Sequence, residues 1–65
     1  MGAGFYDQLK KMLLANGCFF LRQGKGSHEI WKSPINASEF PVAVTIMSRA
    51  LANDILKQAG IKRKI

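Results

Sequence analysis

The sequence predicts an α+β fold: one small domain in the order α-β-β-β-α, with a three-stranded antiparallel sheet that carries both helices on one face. Three observations predict it. A length of 65 residues limits the chain to one core, because a domain of about this size buries only about 60% of the surface that its unfolded form exposes. Apolar residues recur at helical spacing towards each end, and between them lie short β-branched and aromatic runs separated by glycine- and proline-bearing stretches. Two amphipathic helices from so short a chain can cover only one face of the sheet, so the other face stays open.

Each element has its own signal. In "FYDQLKKMLLAN" (5–16), Phe5, Leu9, Met12 and Leu13 form a stripe that Gln8, Lys10 and Lys11 avoid, and Gly17 supplies the helix stop. "CFFLRQ" (18–23) and "HEIWKS" (28–33) flank the turn tetrapeptide "GKGS", which reads as a β-hairpin. Strand alternation sets His28, Ile30 and Lys32 on one face and Glu29, Trp31 and Ser33 on the other; Trp31 is then either a core anchor, the reading favoured here, or an exposed stacking platform. "PINASEFP" breaks the pattern with two prolines, and "VAVTIM" (42–47) alternates as a third strand would. Ser48 is the N-cap of a second helix whose stripe is Leu51, Ile55, Leu56 and Ala59, closed by Gly60. The whole chain, 1–65, is one domain, with residues 1–4 and 62–65 expected to fray. The run Lys62 to Lys64 reads as a solvated end.

Ten Lys and Arg against four Asp and Glu give a net charge of +6, which favours a polyanionic partner. The cations are spread from Lys10 to Lys64, so the basic surface belongs to the fold and not to one arm. The lone Cys18 cannot form an internal disulfide, and its apolar neighbours point to packing. No run is long or apolar enough for a signal peptide or a spanning helix, so a cytoplasmic protein without a membrane partner is expected.

The polar inventory excludes much chemistry. Asp7, Glu29, Glu39 and Asp54 fall on four different segments, which argues against two-metal hydrolysis, and one His with one Cys makes no zinc site. Ser27 and His28 are neighbours that would point to opposite sides of a strand, a poor start for a Ser-His-Asp triad. "GKG" alone falls short of a nucleotide-binding fingerprint, so no metal and no small-molecule cofactor is indicated. What survives is one imidazole among Arg22, Lys25 and Lys32.

That set can cut RNA without metal. RNA brings its own nucleophile, the 2′-OH, and a neutral imidazole, with an ordinary pKa of about 6.5, can take its proton. A positioned base contributes roughly 10²–10⁴-fold, and nearby cations stabilise charge developing on phosphorus. Lys25, Lys32 or water would have to protonate the leaving group. A lone histidine at a hairpin mouth is nevertheless more often structural than catalytic. From the residues alone, a ribonuclease, a non-catalytic RNA-binding module and a protein-binding adaptor all stand.

The stretch "LKKMLLANGCFFLRQGKGSHEIWKSP", followed by "ILKQAGI" at 55–61, resembles the HicA family of bacterial toxins, whose members open with an "LKKLL…NGF" helix and run through "R…GSH" into a strand. The resemblance implies a double-stranded-RNA-binding-domain-like fold and a toxin that cleaves mRNA, inhibits translation and is neutralised by a HicB-like antitoxin occluding the active site. It implies His28 as the catalytic histidine, with Gly26 and Ser27 beside it and Arg22 as the basic residue before the turn; Lys25 and Lys32 complete the candidate RNA contacts. Two departures are visible. Glu29 and Lys32 stand where a second histidine and a basic residue are common. "VTIM" runs straight into Ser48, so the loop usual before the last helix is nearly absent and the "PINASEFP" connection is longer in exchange.

Overall fold

Leu9 and Leu13 are fully buried, and between them they fix which side of the first helix meets the sheet. The computed structural model describes residues 4–65, so the fraying expected at 1–3 lies outside the described residues. The elements are α1 (Tyr6–Ala15), β1 (Phe19–Gln23), β2 (His28–Lys32), β3 (Glu39–Ala43) and α2 (Arg49–Gln58). They form a three-stranded sheet in the order β1-β2-β3 with both pairings antiparallel. Trp31, Phe40 and Val42 project from the sheet into one core with Leu9 and Leu13 of α1 and Ala52, Ile55 and Leu56 of α2. Both helices therefore cover the same face, as the sequence predicts. Cys18 is buried and free.

The third strand lies earlier than the alternation of 42–47 suggests. It runs Glu39–Ala43, with Glu39 opposite Lys32, Phe40 opposite Trp31 and Pro41 opposite Ile30. Pro41 is tolerated because of where it falls. The ladder is phased by Ser33 N–H donating to the Ser38 carbonyl (2.9 Å) and Val44 N–H donating to the Ser27 carbonyl (3.0 Å). Every second residue between these bonds faces β2 with its backbone polar groups, and Pro41 falls on the alternate set, where the missing N–H would point away from the sheet. A proline inside an apolar run is thus compatible with an edge strand.

This shift restores a loop before α2. Val44–Ser48 turns the chain instead of extending it: the Ile46 N–H donates to Ala43 O at 3.1 Å, and the Ile46 carbonyl accepts from Phe5 N–H at 2.9 Å. Ile46 is buried, so its apolar character serves a packed loop and not a strand. The β2–β3 connection is correspondingly only 33–38. It caps α2. Ser33 Oγ donates to the Ala59 carbonyl (2.6 Å), while Asn36 Nδ2 (2.9 Å) and Ser38 Oγ (3.0 Å) both donate to the Gln58 carbonyl. These side chains satisfy carbonyls that a helix C-terminus leaves without partners.

At the other end of α2, Ser48 Oγ accepts from Leu51 N–H at 3.2 Å, the predicted cap. The buried stripe is Ala52, Ile55, Leu56 and Ala59. Leu51, counted in the stripe from sequence, is 56% exposed: with Ala52 at the stripe's start, Leu51 is turned to its border. Gly60 closes the helix at φ +80°, and a Cβ there would lie 3.0 Å from Ile35 Cγ2 of the capping loop. Lys62 to Lys64 are exposed, and the Ile65 N–H donates to Asn53 Oδ1 at 2.7 Å.

Candidate active site

The turn "GKGS" determines where the single imidazole stands. His28 N–H donates to the Lys25 carbonyl (3.1 Å) and Gly24 N–H donates to the His28 carbonyl (2.9 Å), closing a tight reversal between β1 and β2. Gly26 takes φ +61° in that turn, with nothing within 4 Å of where a Cβ would sit. Conformation, and not lack of space, selects glycine there. Gln23 Nε2 braces the turn from β1, donating to His28 O (2.9 Å) and Gly26 O (3.3 Å). The Ser27 carbonyl, through Val44 N–H, ties the turn to the β3–α2 loop.

His28 is exposed at the start of β2, and its Nδ1 lies 3.3 Å from the Lys25 carbonyl. A carbonyl can only accept. In the neutral ring this contact is a hydrogen bond only in the tautomer with the proton on Nδ1, which leaves the Nε2 lone pair free. The same face of the sheet carries Ile30, Lys32 and, from β1, Arg22 opposite Ile30. Trp31, on the other face, is only 2% exposed. The predicted alternation of β2 is therefore observed, and His28 and Lys32 lie on the open face.

The candidate cations do not converge on the imidazole. Lys25 is adjacent in the turn, but Lys32 is four residues along the strand, about 13 Å away at the usual rise. Arg22 is drawn the other way: its Nη1 sits 3.3 Å from Glu39 Oε1 on β3, the one ion pair found among the described residues. Both partners are well exposed, and a pair of this kind is worth at most about 1 kcal/mol, which a phosphate can displace. Ser27 is exposed in the turn. Among the described residues no three His, Cys, Asp or Glu side chains come together.

A groove of about 570 Å³ begins at His28 and runs between β3 and α2, lined by Ala43, Met47, Leu51, Asp54 and Gln58 among others. Sequence reasoning missed it, since it exists only because 44–48 is a loop. Leu51, Asp54 and Gln58 do share the spacing of one helix face, a signal that the shift of β3 makes legible. On the helix side of β2, Glu29 Oε1 accepts from Tyr6 Oη (2.7 Å) and from Trp31 Nε1 (3.0 Å). Burial, this hydrogen bond and the negative charges of Glu29 and Asp7 push the Tyr6 phenol up to about 12. Glu29, immediately after the histidine, is thus committed to holding β2 against α1.

A family model described as the HicA toxin of bacterial toxin-antitoxin systems matches residues 6–61. The chain belongs to the HicA toxin family. The match runs from the first residue of α1 to just beyond the glycine that closes α2, so it takes in every element and the whole of the "GKGSH" turn. Membership makes this protein a toxin with an antitoxin counterpart. No curated protein and no solved structure matches the chain. No helix among the described residues is long and apolar enough to cross a membrane.

Proposed function

We propose that this HicA family member is a metal-independent endoribonuclease that cleaves mRNA, with His28 as the general base. The observation that carries the reading is the exposed imidazole at the hairpin mouth, whose Nδ1–H is occupied by the Lys25 carbonyl and whose Nε2 is left free. RNA lies along the open face. Nε2 takes the 2′-OH proton, the 2′-oxygen attacks the adjacent phosphorus, and the 5′-oxygen leaves after accepting a proton from Lys25 or water. The products carry a 2′,3′-cyclic phosphate and a 5′-OH. Lys25 neutralises the scissile phosphate, while Lys32, and Arg22 once released from Glu39, hold neighbouring phosphates. Gly26 and Ser27 supply a turn backbone close enough for the RNA to approach. Cleavage of mRNA in the cytoplasm inhibits translation, and a HicB-like antitoxin is the counterpart that restrains it.

His28→Ala is expected to abolish growth arrest and RNA cleavage while leaving Trp31 fluorescence and thermal unfolding unchanged, because the side chain is exposed. Losses of roughly 10²-fold or more are expected for a base. Cleavage by the wild type should survive EDTA. Full toxicity of His28→Ala, or products bearing a 5′-phosphate, would refute the mechanism. The spacing of Lys32 and Arg22 from the imidazole specifically favours one competing reading, a non-catalytic RNA-binding module. That reading predicts salt-sensitive binding unaffected by His28→Ala and no cleaved product.

A further inference from the structure

Among the described residues, nothing pairs with the outer edge of β1. Every residue of the strand is exposed, and three consecutive ones are large and apolar: Phe19 (45%), Phe20 (48%) and Leu21 (37%). Register assigns the two phenylalanines to opposite faces. Phe19 lies opposite Lys32 on the open face, and Phe20 lies opposite Trp31 on the helix side, where it borders a hollow of about 230 Å³ with Leu14, Tyr6 and Lys10. Leu14 is exposed as well. Among the described residues β1 pairs only with β2. With Gly24 N–H bonded to His28 O and Arg22 in register with Ile30, the alternating ladder leaves the Gln23 backbone groups pointing outwards. An irregularity between Phe20 and Arg22 places Leu21 as an extra residue at the edge.

We infer that this edge is where the antitoxin docks, by laying an acidic, apolar-containing strand against β1. An added strand sends successive side chains to the two faces of the sheet, so one segment can cover Phe19 on one side and Phe20 with Leu14 on the other. A nucleic acid stacking on the open face would leave Phe20 and Leu14 bare. The charge of the rim selects the partner. Lys32 lies opposite Phe19 on the open face and Lys10 flanks Phe20, while the nearby carboxylates are engaged, Glu29 by Tyr6 and Trp31 and Glu39 by Arg22. A second copy would bring the same Lys10 and Lys32 rim to this edge and be repelled from it; a strand with acids between its apolar residues is attracted on both faces. The inference rests on membership of the toxin-antitoxin family and is independent of whether His28 cuts RNA.

The test uses the purified product of the reading frame adjoining the toxin gene. The double variant Phe19→Glu/Phe20→Glu is expected to weaken its binding by roughly 100-fold or more, with cooperative thermal unfolding retained. Phe19→Leu/Phe20→Leu should bind within a few-fold of the wild type, which separates loss of the apolar surface from loss of folding. In the wild-type complex the outward-facing backbone amides of β1, that of Gln23 among them, should gain protection from hydrogen exchange. Unchanged affinity of the Glu variant, unprotected β1 amides in the complex, or failure of that product to bind the wild type would overturn the inference. So would loss of RNA binding with antitoxin affinity intact, which gives the edge to nucleic acid, or a wild-type dimer that protects β1 without any partner. A wild type that binds this product through β1 and yet cleaves no RNA would leave the inference standing and remove the nuclease mechanism.

Discussion

The two edges of this sheet are built on different principles. β3 is guarded: Pro41 removes an outward N–H, Phe40 and Val42 turn into the core, and the 44–48 loop carries the chain on to α2. β1 has the composition of a core strand and the exposure of a surface one, and its single guard is the irregularity at Leu21. In a chain that can bury so little, leaving three apolar residues outside is a cost to solubility, and solvent offers nothing to offset it. The contrast teaches that apolar content and burial diverge where a second molecule completes the fold's surface.

The largest effect that probes this contrast is on stability. Phe40→Ala on β3 should cost about 3–5 kcal/mol, enough to unfold much of a domain of this size, whereas Phe20→Ala on β1 should cost no more than about 1.5 kcal/mol because half the ring is already in water. Thermal unfolding of the two variants measures the difference, and equal costs would break the distinction between the edges. Next in size is association. Pro41→Val returns an N–H to the guarded edge and should leave stability within about 1 kcal/mol while producing concentration-dependent self-association in sedimentation velocity. A monomeric Pro41→Val would show that proline is not the guard.

The smallest effect concerns the brace behind β1. Tyr6 is the single tyrosine, so the absorbance change on forming tyrosinate reports it alone. Its ordinary value of 10.0 is raised to about 12 in the fold. The folded state therefore holds the phenolic proton more tightly than the unfolded chain. This contribution to stability is complete below pH 10 and is lost as pH rises towards 12. Glu29→Gln removes the charge and weakens the hydrogen bond, so the titration midpoint should fall towards 10. No change would show that burial alone sets it.

Much of this was legible in the sequence because the signals were local. The helix stripes, the glycine stops, the Ser48 cap and the alternation that buries Trp31 each depend on a few adjacent residues. The third strand was not, because "EFPVA" and "VAVTIM" carry equal strand character and the choice between them depends on which residues meet Lys32, Trp31 and Ile30 across the sheet. Pro41 misleads for the same reason, since its acceptability depends on lying at an edge and on the phase of the ladder. His28 was singled out as a candidate from residue type and motif, but the carbonyl beside its ring came from the turn's closure. The groove beside it depends on three segments and has no signature in any one of them. The exposure of β1 could not be read at all, because Phe19 and Phe20 have the composition of buried residues.

The bond from the Ser33 hydroxyl to the Ala59 carbonyl spans 26 positions, and the same loop also holds Gln58 through Asn36 and Ser38. In synthesis, which runs from the N-terminus, the hairpin bearing His28 is made well before residues 58 and 59 exist. Until they arrive, loop 33–38 has nothing to close on and the core lacks one wall. The imidazole and its turn are therefore made early and acquire their rigid frame late, which places the completion of this face of the molecule at the end of synthesis and not at its middle.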